Sequence, residues 1–478
     1  MKSNKRKNSS GVIWSAVERF AIQGSQFIVS LVVARLLVPA DYGLIAMMSI
    51  FIAIAISLID SGMAQALVQR QNRSEEDLST ALIFNIIVAI GLYAIIYVSA
   101  PYIAQFYNAP ELCRIARIYT ITLIINSFSV VQQALITISL DFKRQAMASL
   151  TGIVIGGVVA IVMAYSGYGV WALVAQQLIS AVIFNTLLWR LSPWRPRCGF
   201  SWSSFKILSN FGSKIMASGL MHVIYTNMYT LIIGKYFTQS DLGLYNRATT
   251  IAALPSSNIS TIVERALYPI LCEAQESAEV AATILLKYLR VVCFVVFPAM
   301  VGIAVMARPL TLTLLGEQWL DVVPLLQIIA IANMWDPIMK FYGSLIRSQG
   351  RSADFLRAET IKKCCGVVIL IASIPFGVVA MCGGLLLYAI IDMLIVIFFA
   401  RRISPLLGYL NLASAIAPTI LTTALMGGVV WQIAQFTTSL PPLIELLIAA
   451  LVGAIFTLGI SIVIKRGELQ EILDIIKR

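Results

Sequence analysis

The chain has 478 residues, of which 59% are hydrophobic and 12% charged, with a formal net charge of +12 and a mean hydropathy of +0.87. A soluble fold carries about a quarter charged residues, so this composition excludes a soluble enzyme and indicates a polytopic membrane protein. The surplus bases lie in connections between apolar runs rather than on one polar face, which fits positive-inside topology and argues against nucleic acid as a partner.

Apolar runs of about 20 residues are long enough to cross a bilayer as helices, and the period-two alternation of a barrel is absent. The runs and the polar breaks between them predict about fourteen helices, over 11–36, 42–68, 79–104, 114–140, 143–165, 168–190, 205–236, 242–270, 281–307, 322–346, 354–374, 378–400, 408–434 and 440–465. The basic opening, Met1 to Ser10, leads into a run that carries Glu18 and Arg19 and has no small-residue cleavage site, so it reads as an uncleaved first helix.

At the first break the chain reads Ala34-Arg35-Leu36-Leu37-Val38-Pro39-Ala40-Asp41-Tyr42-Gly43-Leu44, and Gly234 to Leu244 repeats its base, acid, Gly and Leu at the same offsets. Ala66-Leu67 and Ala266-Leu267 keep that register, and Gly167 to Ala172 is echoed by Pro375 to Ala380. Internal symmetry of this kind marks transporters built from two repeated bundles. The expected organisation is an N-lobe over 1–190, an inter-lobe linker over 191–206, a C-lobe over 207–402, two extra helices over 403–466 and an amphipathic tail over 467–478. Asp41 and Asp241, each just before a helix, are expected as N-caps.

Basic residues fall at alternate connections: Lys2 to Lys7, Arg70 and Arg73, Lys143 and Arg144, Arg190 to Arg197, Arg347 and Arg351, Arg401 and Arg402, Lys465 and Arg466. Those connections and both termini are therefore expected to be cytoplasmic. The 191–206 linker, with Trp194, Trp202 and several bases, is expected to lie at the inner membrane surface. Leu315 to Trp319 is expected as a second interfacial element outside.

An ionisable side chain inside a spanning helix is costly and should face a watery cavity or a partner. The bases so placed are Arg19, Lys214, Arg247, Lys287, Arg290 and Lys340. Arg19, Lys214 and Arg247 are expected to line a cavity that binds an anionic substrate. Lys287 and Arg290 are further candidates for that set, although they and Lys340 sit where long side chains snorkel to an interface. The acids are Glu18, Asp60, Asp336 and Asp392, each an ion-coupling or structural group. Asp336 and Lys340 are spaced for an ion pair on one helix face, whereas Asp392 has no base near it in its helix and is the better relay candidate. The lone His222 reads as a buried core residue, and without a second ligand at metal spacing no metal site is expected. The 7 cysteines, with Cys364 next to Cys365, are expected as free, buried thiols. No phosphate loop, nucleophile elbow or paired metal-binding histidines occur, so neither enzymatic chemistry nor ATP-driven transport is expected.

Several stretches carry a family resemblance across nearly the whole chain. They are Trp14 with Glu18-Arg19, Ala34 to Pro39 with Asp41 to Leu44, Asp60 to Met63 through Leu67 to Arg70, Asp141 to Arg144, Gly167 to Val174, and Leu315-Gly316 with Trp319 and Pro324 to Leu326. Together they resemble the bacterial polysaccharide flippases of the Wzx type, in the branch that includes colanic-acid exporters. The resemblance implies the multidrug/oligosaccharidyl-lipid/polysaccharide exporter fold: an all-α membrane protein of two pseudo-symmetric six-helix lobes in a V, plus two extra helices. It also implies alternating access that moves an undecaprenyl-pyrophosphate-linked oligosaccharide across the plasma (inner) membrane for lipopolysaccharide or exopolysaccharide biosynthesis. No cofactor is implied, coupling to an H+ or Na+ gradient stays open, and membrane lipid and polysaccharide polymerase machinery are the further expected partners. A multidrug or cation exporter of the same superfold is the alternative, but it calls for an acid-dominated cavity, and here bases outnumber acids. A membrane polymerase or ligase ranks lower because the outward connections are short.

Overall fold

The computed structural model describes residues 21–463, apart from 61, 71, 140 and 438. Packing divides these residues into two compact units that part between Gly243 and Leu244. The first unit begins with α1 (Ala21–Leu36), α2 (Pro39–Asp60), α3 (Met63–Gln69) and α4 (Glu75–Phe106). It continues through α5 (Leu112–Tyr119), α6 (Ile121–Ser127), α7 (Val130–Ser139), α8 (Phe142–Tyr165) and α9 (Val170–Leu191), and includes α10 (Trp202–Thr226) and α11 (Met228–Tyr236). Helix α12 (Gln239–Glu273) runs into the second unit, which comprises α13 (Ala278–Val305), α14 (Ala307–Leu314), α15 (Val322–Asn333) and α16 (Asp336–Ser348), then α17 (Ser352–Ser373), α18 (Val378–Ala400), α19 (Tyr409–Thr437) and α20 (Pro442–Val463).

Every predicted run thus has a helical counterpart, sometimes as a broken pair. Among the described residues nine helices are long and apolar enough to cross a membrane, or ten if α5–α6 and α7, bent by 43° at their break, form one span. The protein is an all-helical, polytopic membrane protein. Some of the helices that fall short carry the charge: Arg247, Glu264 and Arg265 on α12, and Arg357, Glu359, Lys362 and Lys363 on α17. Lipid acts as solvent for the outer faces. On α20, Leu447, Leu451 and Ile455 stand about one turn apart and are more than 60% exposed, a stripe that water would not tolerate at this length.

The duplicated motif builds the same local structure twice. Val38 and Thr238 are the N-caps, and Asp41 and Asp241 are third residues reaching back: Val38 N–H donates to Asp41 Oδ2 (3.2 Å) and Thr238 N–H to Asp241 Oδ2 (3.1 Å). In the second copy the exchange is reciprocal, since Asp241 N–H donates to Thr238 Oγ1 (3.1 Å), giving a capping box. The N-cap expectation is corrected by three residues in each copy, since the helices start at Pro39 and Gln239; in the first copy the missing N–H of Pro39 costs nothing at the first helical position. The glycines serve a close approach. A Cβ on Gly43 would lie 1.8 Å from the Gln239 carbonyl oxygen, and one on Gly243 would lie 1.8 Å from the Pro39 carbonyl oxygen. The two helix starts therefore meet reciprocally within the first unit, and only glycine leaves room.

Two expectations about aromatic and histidine side chains are overturned. Trp319, expected at an interface, is fully buried in the second unit, where the short turn Glu317–Trp319 tucks it beneath Arg247. His222, expected in the core, is exposed on α10, because that face of the helix is not covered by protein.

Candidate functional site

Seven charged residues of the second unit converge on one cavity of about 430 Å³ between α12, α15, α16, α17 and α18. Each element contributes from one helical face. Helix α16 presents Asp336, Lys340 and Arg347 at spacings of four and seven, so all three stand on the same side. Helix α17 adds Glu359 and Lys362, one turn apart, α18 adds Asp392 and Tyr388, and α12 adds Glu264.

Every base in the cavity is matched by an acid. Lys340 Nζ lies 2.9 Å from Asp336 Oδ2, and Arg347 Nη2 lies 2.8 Å from Glu264 Oε1. Glu264 Oε1 also accepts from the Ser344 hydroxyl at 2.6 Å. Lys362 serves two acids, with its Nζ 2.5 Å from Glu359 Oε1 and 3.0 Å from Asp392 Oδ1. Lys362 and Asp392 are both 7% exposed, so this part of the network is the most shielded from water. Four carboxylates and three bases leave the set one negative charge in excess. The site suits groups that exchange hydrogen bonds with paired charges, such as hydroxyls, better than a bare anion.

A second cavity, in the first unit, has no charge among the described residues of its lining. It measures about 310 Å³, and Gln26, Thr122, Asn126, Gln177 and Ser180 face it with amides and hydroxyls. The second unit also holds an apolar cavity of about 530 Å³ between α13, α14, α19 and α20, lined by Phe294, Pro298, Met306, Met426 and Val430 among others.

The residues singled out from sequence fall in several places. Asp336, Lys340 and Asp392 are brought together in the charged cavity. The Asp336–Lys340 pair forms as its spacing predicts. Lys340 faces the cavity, which corrects the expectation that it snorkels, because Asp336 and the Thr261 hydroxyl (3.3 Å) hold its ammonium inside. Asp392 is not without a base: Lys362, thirty positions upstream in α17, reaches it across the helix pair. Arg247, 4% exposed, sits with its guanidinium 5.8 Å over the Trp319 ring and does not line any of these cavities. Lys287 and Arg290 are half-buried on α13, away from the charged cavity, and Arg290 Nε is buried without a hydrogen-bond partner. Asp60 is half-buried at the end of α2. Glu18, Arg19, the side chain of Lys214 and the tail 467–478 lie outside the described residues. Reading the sequence alone missed Glu264, Arg347, Glu359 and Lys362 as cavity groups. The three-residue spacing of Glu359 and Lys362 on one predicted helix was a visible signal; the distant Glu264–Arg347 pair left none.

The family described as "Polysaccharide biosynthesis protein" matches residues 32–324. The succinoglycan biosynthesis transport protein ExoT of Rhizobium meliloti (strain 1021) is 26% identical over 330 residues, 69% of this chain and 67% of that protein. The lipopolysaccharide biosynthesis protein WzxC of Escherichia coli (strain K12) is 25% identical over 410 residues, 85% of this chain and 83% of that protein. Among solved structures, the lipid II flippase MurJ in an inward closed conformation matches with a TM-score of 0.73 at 15% identity, covering 95% of this chain and 100% of that one. An inward-facing multidrug resistance transporter of the MATE family, in the MOP superfamily, matches with a TM-score of 0.60 at 15% identity, covering 80% of this chain and 95% of that one. At such identities the structural matches establish a shared fold and nothing finer.

Proposed function

The chain belongs to the polysaccharide biosynthesis protein family, and from that premise we propose that it is a flippase, carrying undecaprenyl-pyrophosphate-linked oligosaccharide repeat units across the bacterial plasma membrane by alternating access. The product would feed lipopolysaccharide or exopolysaccharide synthesis. Relatives named for succinoglycan and lipopolysaccharide biosynthesis support this reading. The observation that carries it is the pairing, inside one helical unit, of a charged cavity of about 430 Å³ with an apolar one of about 530 Å³. A lipid-linked sugar needs both: hydrogen-bonding groups for hydroxyls, and an apolar surface that keeps a polyprenyl chain out of water.

In this account the fold has fourteen spans, in two six-helix lobes over 1–190 and 207–402, joined by the 191–206 linker and followed by two further spans. Both termini are cytoplasmic. Arg19, Lys214, Arg247, Lys287 and Arg290 are kept as the candidates for the substrate's negative charge, although Arg247, Lys287 and Arg290 stand outside the charged cavity in this conformation. Glu18, Asp60, Asp336 and Asp392 are assigned to ion coupling or to structural pairing, and polysaccharide polymerase machinery takes up the product. In the charged cavity acids outnumber bases by one, which reverses the balance expected from sequence and favours the multidrug alternative, but the family match and the relatives bear on polysaccharides.

Deletion followed by lipid extraction tests the proposal. Lipid-linked repeat units should accumulate on the inner leaflet while surface polymer disappears. Normal surface polymer in a strain without a redundant flippase would reject it.

A further inference from the structure

Where α6 and α9 meet the start of the 191–206 connection, the first unit has an open cleft of about 640 Å³. One end is apolar, walled by Ile125, Phe128 and Val182. The other end is aromatic and basic. Trp189 is fixed there by its indole N–H, which donates to the Phe128 carbonyl at 2.9 Å. The Arg195 guanidinium lies 5.5 Å over the Trp189 ring and donates to the Ser192 and Trp194 carbonyls, each at 2.7 Å. Arg190 is exposed beside it. Neither arginine is in an ion pair among the described residues. The nearby acid, Glu75, is occupied by the Trp194 indole at 2.9 and 3.0 Å.

Between the two ends stands Asn185, 6% exposed. Its amide donates to the Ala181 carbonyl at 2.8 Å and to Asn126 Oδ1 at 3.3 Å, while its own Oδ1 has no partner. The lining therefore grades from an apolar wall, past the polar side chains of Asn185 and Thr186, to two arginines. That order is the profile of an amphiphile with an anionic phosphate head, a polar neck and an acyl chain. The carbonyl end of α9 opposes an anion, but with only about half a charge, against two guanidinium groups suited to bidentate phosphate contacts.

We propose that this cleft holds one resident anionic glycerophospholipid of the bilayer, its phosphate between Arg190 and Arg195 and its upper acyl chain along Ile125, Phe128 and Val182. The site is separate from the charged cavity of the second unit, and the proposal does not depend on what the protein transports. It places a fixed lipid at the junction between α9 and the connection to α10.

The test uses the purified full chain and native mass spectrometry, titrating phosphatidylglycerol against phosphatidylethanolamine. The wild type should retain one phosphatidylglycerol in preference to phosphatidylethanolamine. Each arginine near an anionic headgroup contributes about five-fold in affinity, so Arg190→Gln with Arg195→Gln should weaken retention about twenty- to thirty-fold. Arg197→Gln, exposed and outside the cleft, should change nothing. Thr186→Phe keeps both arginines but fills the cleft, so it should displace the lipid even if the arginine variant were unstable. A photoactivatable acyl chain on phosphatidylglycerol should label peptides containing Ile125, Phe128 or Val182. Undiminished retention in the double variant, loss only in Arg197→Gln, or labelling elsewhere would overturn the assignment. Stoichiometric displacement by undecaprenyl phosphate would also overturn it, because the occupant would then be the carrier lipid.

Discussion

Replacing Lys362 with methionine perturbs the charged cavity where it is most shielded. The Lys362 ammonium lies 2.5 Å from Glu359 and 3.0 Å from Asp392, so one base bridges both acids. Methionine keeps most of the volume and removes the charge, leaving two carboxylates without a counter-ion at a site where Lys362 and Asp392 are 7% exposed. Removing one partner of a buried pair costs about 3–5 kcal/mol. At about 2–4 °C per kcal/mol for a unit of this size, the thermal midpoint should fall by about 6–20 °C. Asp392→Asn should be milder, about 1–3 kcal/mol, because Lys362 then remains paired with Glu359. Combining the two substitutions should recover about 0.5–3 kcal/mol relative to additivity. Differential scanning fluorimetry of the purified variants in one detergent measures all three. A Lys362→Met midpoint within about 2 °C of wild type, or an Asp392→Asn variant more damaged than Lys362→Met, would refute Lys362 as the shared counter-ion.

Three further outcomes are expected. Gly43→Ala, which in an ordinary helix stabilises by about 1 kcal/mol, should instead destabilise by about 1–3 kcal/mol, because its Cβ would meet the Gln239 carbonyl; a raised melting point would contradict the reciprocal contact. A single cysteine at Arg197 should react with a permeant maleimide and resist a probe confined to the periplasm, and labelling from outside would invert the proposed topology. Arg247→Ala should lower transport at limiting substrate at least tenfold, from charge-assisted bonds worth about 1.5–3 kcal/mol, with Arg247→Lys less severe; a fall in protein abundance alone would assign Arg247 to packing against Trp319.

Most of the helices were legible because nine of those described are long and apolar enough to cross a bilayer, and the polar breaks between runs are short. The duplicated motif was legible too, since Pro39 and Gln239 start helices in the same register. What the sequence could not convey was contact across helices. The Asp336–Lys340 pair is local and its spacing revealed it, but Asp392 looked isolated because Lys362 approaches from a neighbouring helix. Trp319 and His222 were misread for a related reason: hydropathy along one helix does not say which face a neighbour covers. Trp319 has Arg247 over it, whereas His222 has no such cover.

Translocation itself is measured most directly in inverted membrane vesicles, where the cytoplasmic leaflet faces outward. Undecaprenyl-pyrophosphate-linked repeat units are assembled on that leaflet and then challenged with a membrane-impermeant glycosidase. Vesicles containing the protein should move the sugar into the protected lumen, at a rate that scales with the amount of protein, and vesicles lacking it should leave the sugar open to digestion. Equal protection in both kinds of vesicle, or no protection in vesicles carrying folded protein and authentic substrate, would contradict the flippase account.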